Sequence, residues 1–546
     1  MTILPADNQT SNWSLPTLLE FVTNLTASSE ANVQLLGVIH DREIHLKVNP
    51  AELANVCAQL LKTLPLYLVT MVALDDRQRS GFYQIRYIFG LDGCAYFLSV
   101  EAQLSNESPM YQSISFLMPA ANWYEREARD MFGLIPQGHP DPRRLVLHRH
   151  WPDGMRALRK DFDGNYFPPF APDDEEFRNR TQGEGILEIP VGPIHAGIIE
   201  PGHFRFSSVG EQIVNLEARL FYTHRGVEKQ LEGLPVGRAL YLVERNCAAC
   251  TVSSTLAYCQ ALEQLAGIEI PERASILRLI YAELERLYNH IGDIGNLCAG
   301  VGFHAGIQGG ALLKEKLMRL NEKELGSRYL FGLIKPGGVQ RGLSNTSGFF
   351  VKEKLWDYQN EAYKLLQLVM NKESVMERFE GAGILKNSSA RDLGAVGVAA
   401  RASGVNRDER RDHPYAAYSL PYFQPDHIPV LESGDVKARF IIRAEEITVS
   451  FKLILEALDR LTEGPLSIPL GELPAYESAF SLTESPRGSN CHWVMTGPNN
   501  TIYRYRIRTA SYSNWAVVPR AVLDNIVPDF PLINKSFELC YSCLDR

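Results

Sequence analysis

The sequence predicts an α+β fold: a small α/β N-terminal domain followed by a large, mainly helical domain with peripheral strands. Three observations carry that expectation. Strand-type alternation occurs early, helical stripes fill the middle, and two Cys-x-x-Cys pairs, Cys247-Ala-Ala-Cys250 and Cys540-Tyr-Ser-Cys543, bracket most of the larger domain. With 546 residues and 45% hydrophobic content, the chain can bury a sizeable core in more than one unit.

Residues 1–165 read as the small unit, with a helical opening and then strands. In Phe82-Tyr-Gln-Ile-Arg-Tyr-Ile-Phe89, Tyr83, Ile85 and Tyr87 share one face while Gln84 and Arg86 share the other, the pattern of a half-buried strand. A second strand is expected from Cys94 to Val100, then a charged helix from Trp123 to Phe132. Pro136, Gly138, Pro140 and Pro142 end regular structure. Residues 166–186, proline-rich and acidic from Phe167 to Phe177, form an expected linker, and 187–546 form the second domain. There Ile280, Leu284, Leu287, Ile291 and Ile294 repeat at helical spacing, as do Ile447, Phe451, Ile454, Leu458 and Leu461. Leu355, Ala362, Leu365, Leu366 and Val369 mark a third stripe. These are packing seams of a helical bundle, with the cysteine pairs at its edges. Near the end, Tyr503, Tyr505 and Ile507 alternate with Arg504, Arg506 and Arg508, which predicts a strand before the tail.

A net charge of −9 supplies no basic field, so nucleic acid is not an expected partner; proteins are. The N-terminus lacks a secretory pattern, and no apolar run is long enough to span a bilayer, which together predict a cytoplasmic protein. Nine scattered cysteines do not form a disulfide framework and are expected to be reduced. Four thiolates in two Cys-x-x-Cys turns suit one soft-metal centre of zinc, nickel or iron. Spacing alone leaves structural zinc and a catalytic centre about equally favoured, and the long separation of the pairs leans modestly toward catalysis.

The stretch Glu125-Arg-Glu-Ala-Arg-Asp-Met-Phe-Gly133, with Gly138-His-Pro-Asp-Pro-Arg-Arg144 and Leu158-Arg-Lys-Asp161, resembles the signature of the 30-kDa subunit of respiratory complex I. That resemblance implies a docking domain without a cofactor. Gly192-Pro-Ile-His195, Glu200-Pro-Gly-His-Phe204, His224-Arg-Gly-Val-Glu-Lys229, Lys335-Pro-Gly-Gly-Val339 and Ala400-Arg-Ala-Ser-Gly404 resemble the fold shared by the 49-kDa subunit of complex I and the large subunit of nickel-iron hydrogenases. The fused order is similar to the large subunits of group 4 membrane-associated hydrogenases, of the formate hydrogenlyase and hydrogenase-4 type. In that family working hydrogenases keep both cysteine pairs, as this chain does.

The resemblance implies that Cys247 and Cys540 bind nickel terminally, and that Cys250 and Cys543 bridge nickel to an iron carrying carbon monoxide and cyanide. Glu228 matches the family's proton-relay carboxylate and Arg487 its arginine over the open metal face. His195 matches a quinone-facing histidine of complex I, but is expected here to be a core or surface residue. The implied activity is heterolytic hydrogen cleavage or proton reduction. With no complete iron-sulfur motif in the chain, electrons are expected to leave through an iron-sulfur small subunit resembling the complex I 20-kDa subunit. A ferredoxin-like subunit and membrane antiporter-like subunits are the other implied partners, placing the chain on the cytoplasmic face of the inner membrane. The first motif departs from the family pattern: Ala248 replaces a glycine and Ser254 a histidine. A complex I-like coupling subunit without hydrogenase activity and a zinc-containing assembly scaffold are the alternatives.

Overall fold

The computed structural model describes residues 13–28, 33–148, 150–170, 181–196 and 199–546. The chain opens with the helix Leu15–Ser28 and a five-stranded sheet, ordered Val33–Ile39, Glu43–Val48, Phe97–Ser105, Phe82–Leu91, Leu66–Asp76. Every pairing is antiparallel except that of Glu43–Val48 with Phe97–Ser105. The second expected strand therefore starts at Phe97, three residues later than read from the sequence, because residues 92–96 form the turn that precedes it. In the interior strand Phe82–Leu91, Tyr83, Ile85 and Tyr87 are buried as the alternation predicts, but from Ile88 onward both faces are covered.

The second cover explains why alternation fades. Val69, Val72, Leu74, Ile88 and Phe97 pack against Phe480, Leu482, Cys491, Trp493 and Met495 of a three-stranded sheet, Ser478–Ser485, Gly488–Gly497 and Thr501–Arg508. The N-terminal sheet thus shares a core with the C-terminal end of the chain. The arginines of Thr501–Arg508 are correspondingly buried. Arg504 and Arg508 donate to the carbonyls of Ala73 (3.1 Å) and Val69 (2.9 Å) on the outermost strand of the five. Alternation revealed two faces on this strand but not that protein covers both.

The large domain is built on the helix Glu272–Gly300, packed against Thr251–Ala266, His304–Leu325 and Val436–Asp459, with Asn345–Met370 outside. Ile280, Leu284, Leu287, Ile291 and Ile294 are all buried, as are the five residues of the 355–369 stripe. Leu461 lies past the end of Val436–Asp459, which stops two residues short of it. Glu272–Gly300 and His304–Leu325 approach so closely that a Cβ on Gly310 would sit 2.7 Å from the Cα of Gly295, so that crossing requires glycine. Most of the acidic run of the expected linker lies outside the described residues; a small sheet of Ile186–Val191, His203–Val209 and Gln212–Arg219 follows it. No described helix is long and apolar enough to cross a membrane.

Candidate metal centre

Cys247 and Cys250 occupy the turn between the helices Val236–Glu244 and Thr251–Ala266, closed by a Cys250 N–H to Cys247 C=O bond of 3.3 Å. Cys540 caps the last helix, Tyr541–Asp545: its sulfur accepts from the Cys543 N–H at 3.3 Å. The fold brings the two turns together. The sulfurs of Cys247, Cys540 and Cys543 lie within 4.8 Å of one another, and Cys250 packs in the same buried cluster.

Crowding sets the ionisation order. Hydrogen bonds from Cys247 and Cys543 hold the Cys540 thiol well below the usual range. Cys247 is held well above it, first by its contact with Cys250, and Cys543 first by burial. One sulfur ionises readily, whereas deprotonating all four requires compensating positive charge, the condition a bound soft cation satisfies. Soft donors, close approach and burial together fit a metal centre.

The tail is tied down at several points. Glu200 accepts from the N–H groups of Tyr541 (3.1 Å) and Ser542 (2.9 Å) and from the Ser542 hydroxyl (2.5 Å). Asp545 accepts from the N–H groups of Phe221 and Thr223, each at 2.8 Å. Arg225 joins the two turns, donating to the carbonyls of Arg245 (3.1 Å) and Asn246 (2.9 Å) just before Cys247 and to that of Ser542 (3.0 Å). The His224–Lys229 motif contains this clamp, but its sequence gives no sign that the partners are main-chain carbonyls.

Arg487, at the tip of the hairpin joining Ser478–Ser485 to Gly488–Gly497, makes a two-point ion pair with Asp293 and reaches Asn289 Oδ1 at 3.5 Å. Asn289 in turn donates to the carbonyl of Ala249 at 2.9 Å, connecting the arginine to the first cysteine turn. Burial works against ionisation of Asp293, but Arg487, His290 and Arg443 overcome it and hold the carboxyl below its usual range. Asn289 and Asp293 were not singled out from sequence, although a buried Asn and Asp one turn apart beside an apolar stripe are the available signal.

Glu228 lies elsewhere in the hydrogen-bond map. Its carboxylate meets Arg546 (3.0 Å), Arg506 (3.4 Å) and Arg504 (2.9 Å), and accepts the Ile507 N–H at 3.0 Å. Burial would raise its pKa, but the three guanidinium groups outweigh that and leave it lowered. Glu127, from the N-terminal unit, completes the cluster through Arg506 and Arg546. His195 donates from Nε2 to the Gly202 carbonyl (2.7 Å), beside Phe204.

The departures in the first motif have local consequences. Ala248 is exposed and has no positive φ, so its methyl group is accommodated without strain. Ser254 is fully buried, and its hydroxyl has no hydrogen-bond partner among the described residues. Next to it, Glu285 accepts from the N–H groups of Val252 (2.7 Å) and Ser253 (3.1 Å), and burial pushes its pKa up to about 7.

The chain matches the family described as respiratory-chain NADH dehydrogenase, 30 Kd subunit, over residues 46–168 and the corresponding 49 Kd subunit over 301–470 and 470–546. Between these, residues 225–299 match the nickel-dependent hydrogenase family. Formate hydrogenlyase subunit 5 of Escherichia coli is 36% identical over 88% of this chain and 85% of its own length. Hydrogenase-4 component G of the same organism is 36% identical over 88% and 84%. A chain in the structure of the membrane-bound sulfane sulfur reductase, an archaeal respiratory membrane complex, superposes with a TM-score of 0.59 at 27% identity, covering 67% of this chain and all of that one. The chain therefore belongs to the large-subunit family of group 4 membrane-bound nickel-iron hydrogenases, oxidoreductases related to the 49 and 30 Kd subunits of respiratory NADH dehydrogenase.

Proposed function

We propose that the chain is the catalytic large subunit of a membrane-associated hydrogenase complex, interconverting hydrogen with protons and electrons. The carrying observation is the convergence of four cysteines from distant parts of the chain, three with sulfurs mutually within 4.8 Å. When bound, a nickel-iron centre, its iron carrying carbon monoxide and cyanide, supplies an open coordination face and two-electron chemistry for heterolytic hydrogen cleavage. Cys247, Cys540 and Cys543, with Cys250 beside them, would hold that centre through their sulfurs. Arg487, fixed by Asp293 and Asn289, is proposed to present its guanidinium to that face and to polarise the bound reactant.

Glu228 is the proposed proton carrier. Its buried carboxylate is held by Arg504, which faces Oε2 at 2.9 Å, and by Arg506 and Arg546, and these arginines make any proton there short-lived. Glu285, with its pKa near neutrality beside the first cysteine turn, is the competing carrier. Glu228→Gln and Glu285→Gln decide between them: the true carrier loses hydrogen/deuterium exchange with metal content intact. Electrons would pass to an iron-sulfur small subunit resembling the complex I 20-kDa subunit, and onward to a ferredoxin-like subunit. Membrane antiporter-like subunits would hold the assembly to the cytoplasmic face of the inner membrane. Equimolar nickel and iron with infrared bands from carbon monoxide and cyanide is the expected result for the purified complex. Zinc alone, or no metal, would overturn the reading.

A further inference from the structure

At the seam between the N-terminal unit and the large domain lies a cavity of about 410 Å³, bounded by the helix Asn122–Phe132, the 141–145 segment, the strand Gln212–Arg219 and residues 516–523. Its lining carries five arginines, Arg126, Arg143, Arg144, Arg219 and Arg520, against two carboxylates, Asp141 and Glu217. A second cavity of about 370 Å³ adjoins it, sharing Asn122, Trp123, Leu393, Ala516 and Arg520. The second lobe is mostly apolar and aromatic, with Leu68, Phe116, Pro119 and Tyr124 in its walls. Each lobe is within the usual size range of small-molecule sites.

Arg144 is paired with Asp153 outside the lining, so the local positive charge centres on the remaining arginines, in a chain that as a whole carries −9. Asp141 is engaged by Arg143 (2.7 Å) and Arg126 (3.1 Å), and Glu217 is engaged through Oε1 by Arg143. Arg520, on the wall common to the two lobes, is exposed, and its guanidinium has no ion pair or hydrogen bond among the described residues. Arg126 is buried, and burial together with Arg143 and Arg219 disfavours its charge, a cost that a negative ligand nearby would relieve.

We propose that this two-lobed cleft binds an amphipathic organic anion, with its phosphate or carboxylate beside Arg520 and its apolar part over Trp123 and Phe116. A soluble nucleotide and a lipid with an acidic headgroup are the two sources of that chemistry. Titration calorimetry of the purified complex with ADP, with dihexanoyl phosphatidate below its micelle threshold, and with inorganic phosphate separates them. One of the two amphipathic probes should bind about tenfold more tightly than phosphate, and its identity names the source. Arg520→Ala should weaken that probe about tenfold, and because the side chain is exposed and unpaired the variant should fold. Phe116→Ser, at a residue 74% exposed, should weaken the amphipathic probe and leave phosphate unchanged. Failure of both probes to bind, phosphate binding as tightly as either, or unchanged affinity in Arg520→Ala would each overturn the proposal.

Discussion

Two buried polar regions, the seam cluster and the thiol pocket, solve opposite electrostatic problems. At the seam, Glu127 and Glu228 face Arg504, Arg506 and Arg546, and the guanidinium groups hold both carboxyls below their usual range. Two carboxylates there compensate most of the charge of three guanidinium groups from within the chain, and they stay ionised across ordinary pH. In the thiol pocket, Cys247, Cys250, Cys540 and Cys543 crowd one another, and only Cys540 is eased toward ionisation. Ionising the other three thiols would require a cation beside them. The comparison teaches that the seam is built for permanence and the pocket for exchange.

The largest expected effect tests the pocket. Cys247→Ser or Cys540→Ser should abolish hydrogen turnover and lower nickel content, read by gas evolution and elemental analysis. Full activity in either variant would remove the ligand assignment. Next, Glu228→Gln should retain metal but slow proton-coupled exchange by ~10²–10⁴-fold. A purely structural role would instead lower stability and leave the exchange rate per bound metal unchanged. At the seam, Glu127→Ala leaves Arg506 and Arg546 without one buried partner, and should cost about 3–5 kcal/mol in denaturant unfolding. A loss under ~1 kcal/mol would show that Glu228 alone balances the cluster.

How much of this was legible beforehand depends on whether a residue's partner is near in sequence. The cysteine turns and the bundle stripes are local patterns, and Ile280 to Ile294 all fell on the buried side of one helix. Arg504, Arg506 and Arg508 also showed their common face, but their partners are Ala73, Glu127 and Val69, hundreds of residues away. The arginine-rich strand therefore predicted a strand without predicting a shared core. The same holds for Arg225, whose carbonyl partners have no sequence signature. The Cys94 start failed for a simpler reason, since an apolar run reads through the turn that delays the strand to Phe97.

Smaller effects sharpen the contrast through pH. Burial first, with Asp408 adding to it, pushes Glu484 up to about 8, while burial pushes Glu285 to about 7. Between the ordinary glutamate value of 4.5 and those raised values, the unfolded chain has released protons that the folded chain keeps. Raising pH through that window therefore withdraws stability, and Glu484→Gln should flatten the alkaline decline of the unfolding midpoint. The seam has the opposite sign: its contribution is complete above the ordinary glutamate range and is lost only as pH falls below it. A decline unchanged in Glu484→Gln would assign the alkaline limb to other groups. Smallest of all, Ala248→Gly should change stability by about 1 kcal/mol or less, since Ala248 already has negative φ.

The arginines that cap the carbonyls of Ala73 and Val69 also impose a timetable on biosynthesis. A ribosome completes the strand Leu66–Asp76 long before it reaches Arg504 and Arg508, so the nascent N-terminal sheet emerges with an open border that other polypeptides can join. Truncated chains should consequently clump or recruit chaperones until the final segment arrives to close that border.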